Sequence, residues 1–274
     1  MKKEHKWSKF SYIIPILIFI GFTIWWLYLR QFDSDVTRNG RQLWGATYQI
    51  LAFYGAIVGL LISKKWGGYK SQLGRVALAF SAGLFLQCFG QTYSSYYVYH
   101  FAVESPPYPA IGDIGFFGSV LAYIYAVVLL SKISGVKTTL KQVHNKIFAF
   151  IIPCVILASS YFFFLKGYEF DWSSPTQIVL DFGYPFGQAF YVSIAILALV
   201  MSRNILGGIM RKSILLLIFA LLFQYFSDVM FLYEAIRGSW YVGNINDYLY
   251  ASSYFILFLS LVQLGSTFEK IKNS

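Results

Sequence analysis

SILLLIFALLFQYFSDVMFLY, residues 213–233, is the stretch that decides the fold. Between the basic pair Arg211-Lys212 and Glu234 its only charge is Asp228. At 1.5 Å rise per residue, a helix of this length covers roughly 30 Å, the thickness of a bilayer's hydrocarbon core. Working outward, similar runs recur along the whole chain, at approximately 11–29, 43–63, 76–97, 112–131, 147–165, 177–202 and 247–265. The composition agrees. Apolar residues make up 57% of the 274, aromatic residues 20% and charged residues only 12%, whereas a soluble domain carries about 25% charged residues. The expected fold is an all-α integral membrane protein with eight transmembrane helices.

The first run follows Lys2, Lys3, Lys6 and Lys9 and so begins like a secretory signal. Its apolar stretch from Tyr12 to Leu29 is too long for a signal core, and Arg30-Gln31-Phe32 offers no small-residue cleavage site. It reads as a retained helix.

The net charge of +10 raises the question of nucleic acid, and its distribution answers it. All but Arg30, Arg38, Arg41, Lys166 and Arg237 of the 22 basic residues fall in the N-terminal segment, every second loop and the C-terminal segment. Lysine and arginine favour the cytoplasmic side, so the expected orientation is N-in and C-in, in the cytoplasmic membrane. The basic residues would meet anionic lipid headgroups of the bilayer, and no nucleic-acid partner is expected. Cys88 and Cys154 fall within spans and read as small apolar side chains, not as a disulfide or metal pair.

The chain also compares well with itself. Ile13-Ile14-Pro15 matches Ile151-Ile152-Pro153, and Phe53-Tyr54 matches Phe190-Tyr191. LFLQCFGQ at 84–91 lies over LLFQYFSD at 221–228, and Gly67-Gly68 over Gly207-Gly208. Both copies then pass through an aromatic loop to an aspartate opening the next helix, Asp113 and Asp247. Two four-helix repeats are expected, residues 1–136 and 137–274, together forming one membrane domain. An even number of spans per repeat makes them parallel, about an axis along the membrane normal.

An ionisable group inside a span is costly and marks function by default. Gln224 lies near the midplane of span 7, and Asp228 is one turn further out on the same face. Gln87 and Gln91 hold the matching positions in span 3, and these stripes should face the bundle interior. Span 6 opens with Ser174-Pro175, an N-cap followed by proline at the first helical position. Asp181 follows inside the helix, Pro185 is expected to kink it, and Gln188 lies a turn deeper. Asp228, Gln224, Gln87, Gln91, Asp181 and Gln188 are therefore the candidate lining of a polar pocket in the outer half, for a proton or a small polar or cationic ligand. Interhelical hydrogen bonding is the competing account of the glutamines. Asp113 and Asp247 sit where a carboxylate caps a helix N-terminus, at the pocket rim.

Tyrosines and tryptophans crowd the outer half, including Tyr93, Tyr108, Tyr184, Trp240, Tyr248 and Tyr250. An interfacial belt explains most of them, and an aromatic site for an organic cation is the sharper alternative. His5 and His144 lie in inner loops and His100 at the outer end of span 3, so no haem-ligand pair or zinc cluster is in place. No phosphate loop or nucleophile elbow is present, and no cofactor, metal or enzymatic activity is expected.

Three segments carry a family resemblance. They are Pro106-Pro107-Tyr108-Pro109 leading to Asp113-Ile114-Gly115-Phe116; Leu180-Asp181-Phe182-Gly183-Tyr184-Pro185; and Ser227-Asp228-Val229 leading to Gly238-Ser239-Trp240-Tyr241 and Asp247-Tyr248. Together they resemble the multi-span membrane sensory regions that precede diguanylate cyclase and histidine kinase domains in bacterial signalling proteins. Gln188 stands where that resemblance implies a second aspartate after Tyr184-Pro185. Only Ser266 to Ser274 follow span 8, so the resemblance implies a free-standing sensory module signalling through a membrane or cytoplasmic partner. The leading expectation is a non-enzymatic membrane sensor. A small transporter or channel with a polar pocket between duplicated halves is the alternative, and a structural or assembly subunit the second.

Overall fold

The computed structural model describes residues 4–31, 35–103, 106–134, 143–201 and 210–273. The repeat boundary at 136/137, Gly207-Gly208, and the basic residues Lys2, Lys3, Lys137, Lys141 and Arg203 lie outside them. The described residues form helices joined by turns and loops, with no strand. The helices are α1 Glu4–Gln31, α2 Asp35–Thr47, α3 Ile50–Lys65, α4 Gln72–Phe101, α5 Ile111–Ile133, α6 Val143–Ser160, α7 Pro175–Met201, α8 Arg211–Ile236 and α9 Ile245–Lys272. Eight helical segments are long and apolar enough to cross a membrane, beginning at Tyr12, Asn39, Gln72, Ile111, Lys146, Pro175, Arg211 and Ile245. This is a multi-pass membrane fold. In lipid every backbone N–H and C=O must be satisfied within the segment, and the helix does this for each run.

Two helices depart from the sequence reading. Span 2 is broken: α2 ends at Thr47, Tyr48-Gln49 form a turn, and α3 starts at Ile50. The backbone there closes a tight bond, Leu51 N donating to Tyr48 O at 3.1 Å. Span 6 is helical from Pro175 to Met201 with Pro185 inside it. Its start agrees with expectation, since Ser174 O accepts from Gln177 N at 3.0 Å. The last turn of span 5, Tyr161–Leu165, widens into a π-helix.

The turn between α3 and α4 shows how local chemistry sets the course of the chain. Gly67 and Gly68 take φ of 88° and 58°, which side chains disfavour. Ser71 then caps α4 by accepting from Gly74 N at 2.9 Å. A Cβ on Gly74 would stand 2.3 Å from Gly68 O, so the turn requires glycine there.

Among the described residues, six of the spans close a ring: α3 beside α4, α4 beside α5, α5 beside α7, α7 beside α8, α8 beside α9, and α9 back beside α3. The remaining two lie outside it, α1 against α9 and α6 against α7. Small residues let the ring close. On α4, Gly90 faces Gly112 O and the Phe116 ring of α5, while Gly83 faces the Tyr123 ring. The interior is filled by large side chains shielded from solvent, among them Trp44, Tyr48, Phe80, Tyr123, Tyr191, Tyr254 and Phe258.

One end of the ring gathers the acidic residues. There Trp26 Nε1 donates to Gly243 O at 3.0 Å, and Tyr108 meets Asp181. At the other, basic end, Lys65 Nζ pairs with Glu269 at 2.5 Å, and Ser213 hydrogen-bonds Thr267 at 2.8 Å.

Candidate functional site

Asp228 sits on α8 facing the ring interior, 5% exposed. Its carboxylate accepts three hydrogen bonds from three helices. Tyr191 of α7 donates to Oδ2 at 2.9 Å, Tyr250 of α9 donates to Oδ1 at 2.9 Å, and Gln224 Nε2, one turn away on α8, donates to Oδ1 at 3.0 Å. A buried carboxylate without such donors would carry several kcal/mol of desolvation cost, about as much as a domain's net stability. Its hydrogen-bond partners are neutral, so the donors soften the charge without cancelling it.

The network continues through α9. Ser253 donates to Gln224 Oε1 at 2.6 Å. One residue on, Tyr254 donates to Gln87 Oε1 on α4 at 3.0 Å. Gln87 Nε2 donates in turn to Ser119 Oγ on α5 at 2.7 Å. Helix α9 therefore holds Gln224 with one side chain and Gln87 with the next, and the polar groups bond one another in place of water. Gln91 stands apart. It is half-buried and donates to Gly45 O of α2 at 3.3 Å.

The acidic end carries a second layer. Asp181 accepts the hydroxyls of Tyr108 at 2.8 Å and Tyr168 at 2.7 Å, which ties two loops to α7. The Tyr168 phenol is pushed up from 10.0 to about 12 because its proton is shared with the Asp181 carboxylate. Burial, then the Asp181 contact, pushes the Tyr108 phenol up as well. Asp171, in the same loop, is held below the usual carboxylate range by the Ser173 hydroxyl and backbone N–H.

Asp113 and Asp247 each accept a hydrogen bond from a backbone N–H just before their own helix, and Asn244 caps α9. Asp113 Oδ2 accepts from Ala110 N at 2.8 Å, and Asp247 Oδ2 from Gly243 N at 2.7 Å. Asp113 does more: its Oδ1 accepts the Tyr184 hydroxyl of α7 at 2.8 Å. Gln188 lies on α7 between these layers, 5% exposed, and its Oε1 has no hydrogen-bond partner among the described residues.

The sequence-selected residues thus divide into three groups. Asp228, Gln224 and Gln87 share one buried network; Asp181, Asp113 and Asp247 hold the loops of the acidic end; Gln91 and Gln188 lie to either side. Tyr191, Tyr254, Ser119 and Ser253 were missed. Their signal was available in the Tyr250–Tyr254 spacing of four and in the row Asp181, Tyr184, Gln188, Tyr191, which recurs on one face of α7. No group of three metal-ligating side chains occurs among the described residues. The chain matches no family model, no curated protein and no solved structure.

Proposed function

We propose that the protein is a membrane-embedded sensor module, acting through a membrane or cytoplasmic partner, whose switching element is the Asp228 network. One observation carries this reading: a buried carboxylate held by three donors from α7, α8 and α9, none of them a cation. Such a group has two states, charged with its donors or neutralised by a proton or a cationic ligand. Changing state rearranges the contacts among three helices at once, which is how a local event becomes a shift of packed helices.

The reading includes the duplication and the N-in, C-in orientation, which would put the acidic end outside. Several pairings support two repeats. Gln87 bonds Ser119 in one half and Gln224 bonds Ser253 in the other. Asp113 and Asp247 each reach back to a loop N–H, and in each half the first helix lies outside the ring. The halves differ at one telling place, where Asp228 in the second corresponds to Gln91 in the first. The resemblance to sensory regions points to the same use.

Thermal unfolding of the protein in lipid nanodiscs, across pH and a panel of organic cations and small metabolites, tests the proposal. A saturable rise in melting temperature is expected, and Asp228→Asn should abolish it while remaining folded. No response in either protein would move the reading to a scaffold. Uptake into proteoliposomes would move it to a transporter.

A further inference from the structure

Between the rim and Asp228, the seam of α5 and α7 is polar in a way that helix packing leaves unexplained. Asp181, Tyr184, Gln188 and Tyr191 follow one another at spacings of three, four and three, and so share a face of α7. From Tyr184 to Tyr191 that face descends about 10 Å. The Tyr184 hydroxyl is bonded to Asp113 at the rim and lies within electrostatic reach of Asp228 as well. Its ring packs edge-on against Phe117 of α5, with centroids 5.5 Å apart. Tyr191, at the lower end, donates to Asp228.

Two buried polar atoms beside this row have no hydrogen-bond partner among the described residues, Gln188 Oε1 and the hydroxyl of Tyr123 on α5. Their side chains are 5% and 1% exposed. The Tyr123 ring stands edge-on to that of Tyr191, the donor to Asp228, with centroids 6.2 Å apart. An orphaned acceptor and an orphaned hydroxyl at such depth each forgo about 1–3 kcal/mol unless a small guest satisfies them. Water is the guest of the right size and chemistry, needing two to four polar partners.

The geometry points to a proton path along the α5–α7 seam, from Asp113 and Tyr184 at the acidic end through water held at Gln188 and Tyr123 to Asp228. The inference rests on Asp228 being the group that changes state, and adds what reaches it and by which route. A hydronium at the rim gives up a proton. The Asp113 carboxylate takes it, which releases the Tyr184 hydroxyl from their hydrogen bond. That hydroxyl turns inward, gives its proton to water at Gln188 Oε1 and takes the Asp113 proton in its place. That water protonates an Asp228 oxygen, leaving a neutral carboxylic acid and, at the rim, one water. No electrons move. The titratable groups around Asp228 are Tyr184 and Tyr191 from α7, Tyr123 from α5, Tyr250 and Tyr254 from α9 and Tyr225 on α8 itself, with Cys88 of α4 reaching Tyr254. None of these is a cation that would hold the carboxylate charged.

Infrared spectroscopy of the protein in nanodiscs after a pH jump tests the route. The carboxylic-acid stretch absent from Asp228→Asn is assigned to Asp228, and its rate of appearance on acidification is followed. Gln188→Met keeps the volume and loses the carbonyl; Tyr184→Phe loses only the hydroxyl. Each should slow the band about 100-fold, at the low end of what a positioned proton-transfer group contributes. Gln263→Met, off the seam and bonded to Tyr12, should leave the rate unchanged, and melting temperatures identify any variant that fails to fold. An Asp228 band that rises at the wild-type rate in both seam variants overturns the route and leaves the sensor reading intact. If no band depends on Asp228 at any pH, the switching role and the route both fall.

Discussion

Asp228 exchanges the hydration of a carboxylate for two phenols and an amide, so each donor is tied to the others. Tyr191→Phe removes one donor without changing shape and should cost about 1–3 kcal/mol, measured as lowered resistance to denaturation in nanodiscs. Tyr250→Phe should behave alike, and the double variant should cost more than the sum because the last donor is left alone. At the rim the sign of the pH dependence follows from Tyr168. Its phenol stays protonated above its usual 10.0, so its bond to Asp181 persists through neutral pH and is lost as pH rises through about 12. In an ultraviolet alkaline titration, wild type should show a late-ionising phenol that Tyr168→Phe lacks. At this scale the sequence exposed the costly groups and hid their partners. An aspartate in an apolar run is visible as an exception, whereas Tyr191 and Tyr254 look like any membrane aromatic until α7, α8 and α9 are placed side by side.

Helices were legible because each run is long, apolar and bounded by charge, and a lipid-buried backbone has little alternative. Breaks were less legible. Pro185 stands inside span 6, where a proline costs the helix the bond its own N–H would make and a clash one turn back, and α7 continues through it. The break falls at Tyr48-Gln49, where no glycine or proline marks it. There Gln49 Nε2 turns back to Ala46 O at 2.5 Å and the Tyr48 ring stacks on Trp44, with centroids 5.1 Å apart. These contacts follow from neighbours and leave no local signal. Close helix approach gives a direct prediction. A Cβ on Gly115 would stand 2.5 Å from Leu86 O and 2.7 Å from Gly90 N, both backbone atoms that cannot swing aside. Gly115→Ala should therefore force α4 and α5 apart and destabilise by about 1–3 kcal/mol. Gly21→Ala, with nothing within 4 Å of its added Cβ, should be neutral. Equal melting temperatures for the two would refute this account of the α4–α5 contact.

For the whole molecule, composition and periodicity showed a multi-pass membrane protein, while the order of helices around the ring had to come from the structure. Which helix touches which depends on small differences in groove shape among similar apolar faces, and those are set by positions such as Gly83 and Gly90 acting together. Orientation is a statement about charge and can be checked alone. In a background with Cys88 and Cys154 replaced by alanine, Ser173→Cys should react with an impermeant maleimide added outside intact cells, and Lys70→Cys only after permeabilisation. The reverse pattern would invert the topology. The central claim is that the state of Asp228 sets how α7, α8 and α9 pack in the ring. Spin labels at Tyr99→Cys on α4 and Ser173→Cys beside α7, in the same cysteine-free background, read the distance from α4 to α7 directly by pulsed dipolar spectroscopy. The account predicts a distance distribution that changes between neutral and acidic pH, and an Asp228→Asn variant fixed in the acidic distribution at both. A distribution that is the same at both pH values, with and without Asp228, would contradict it.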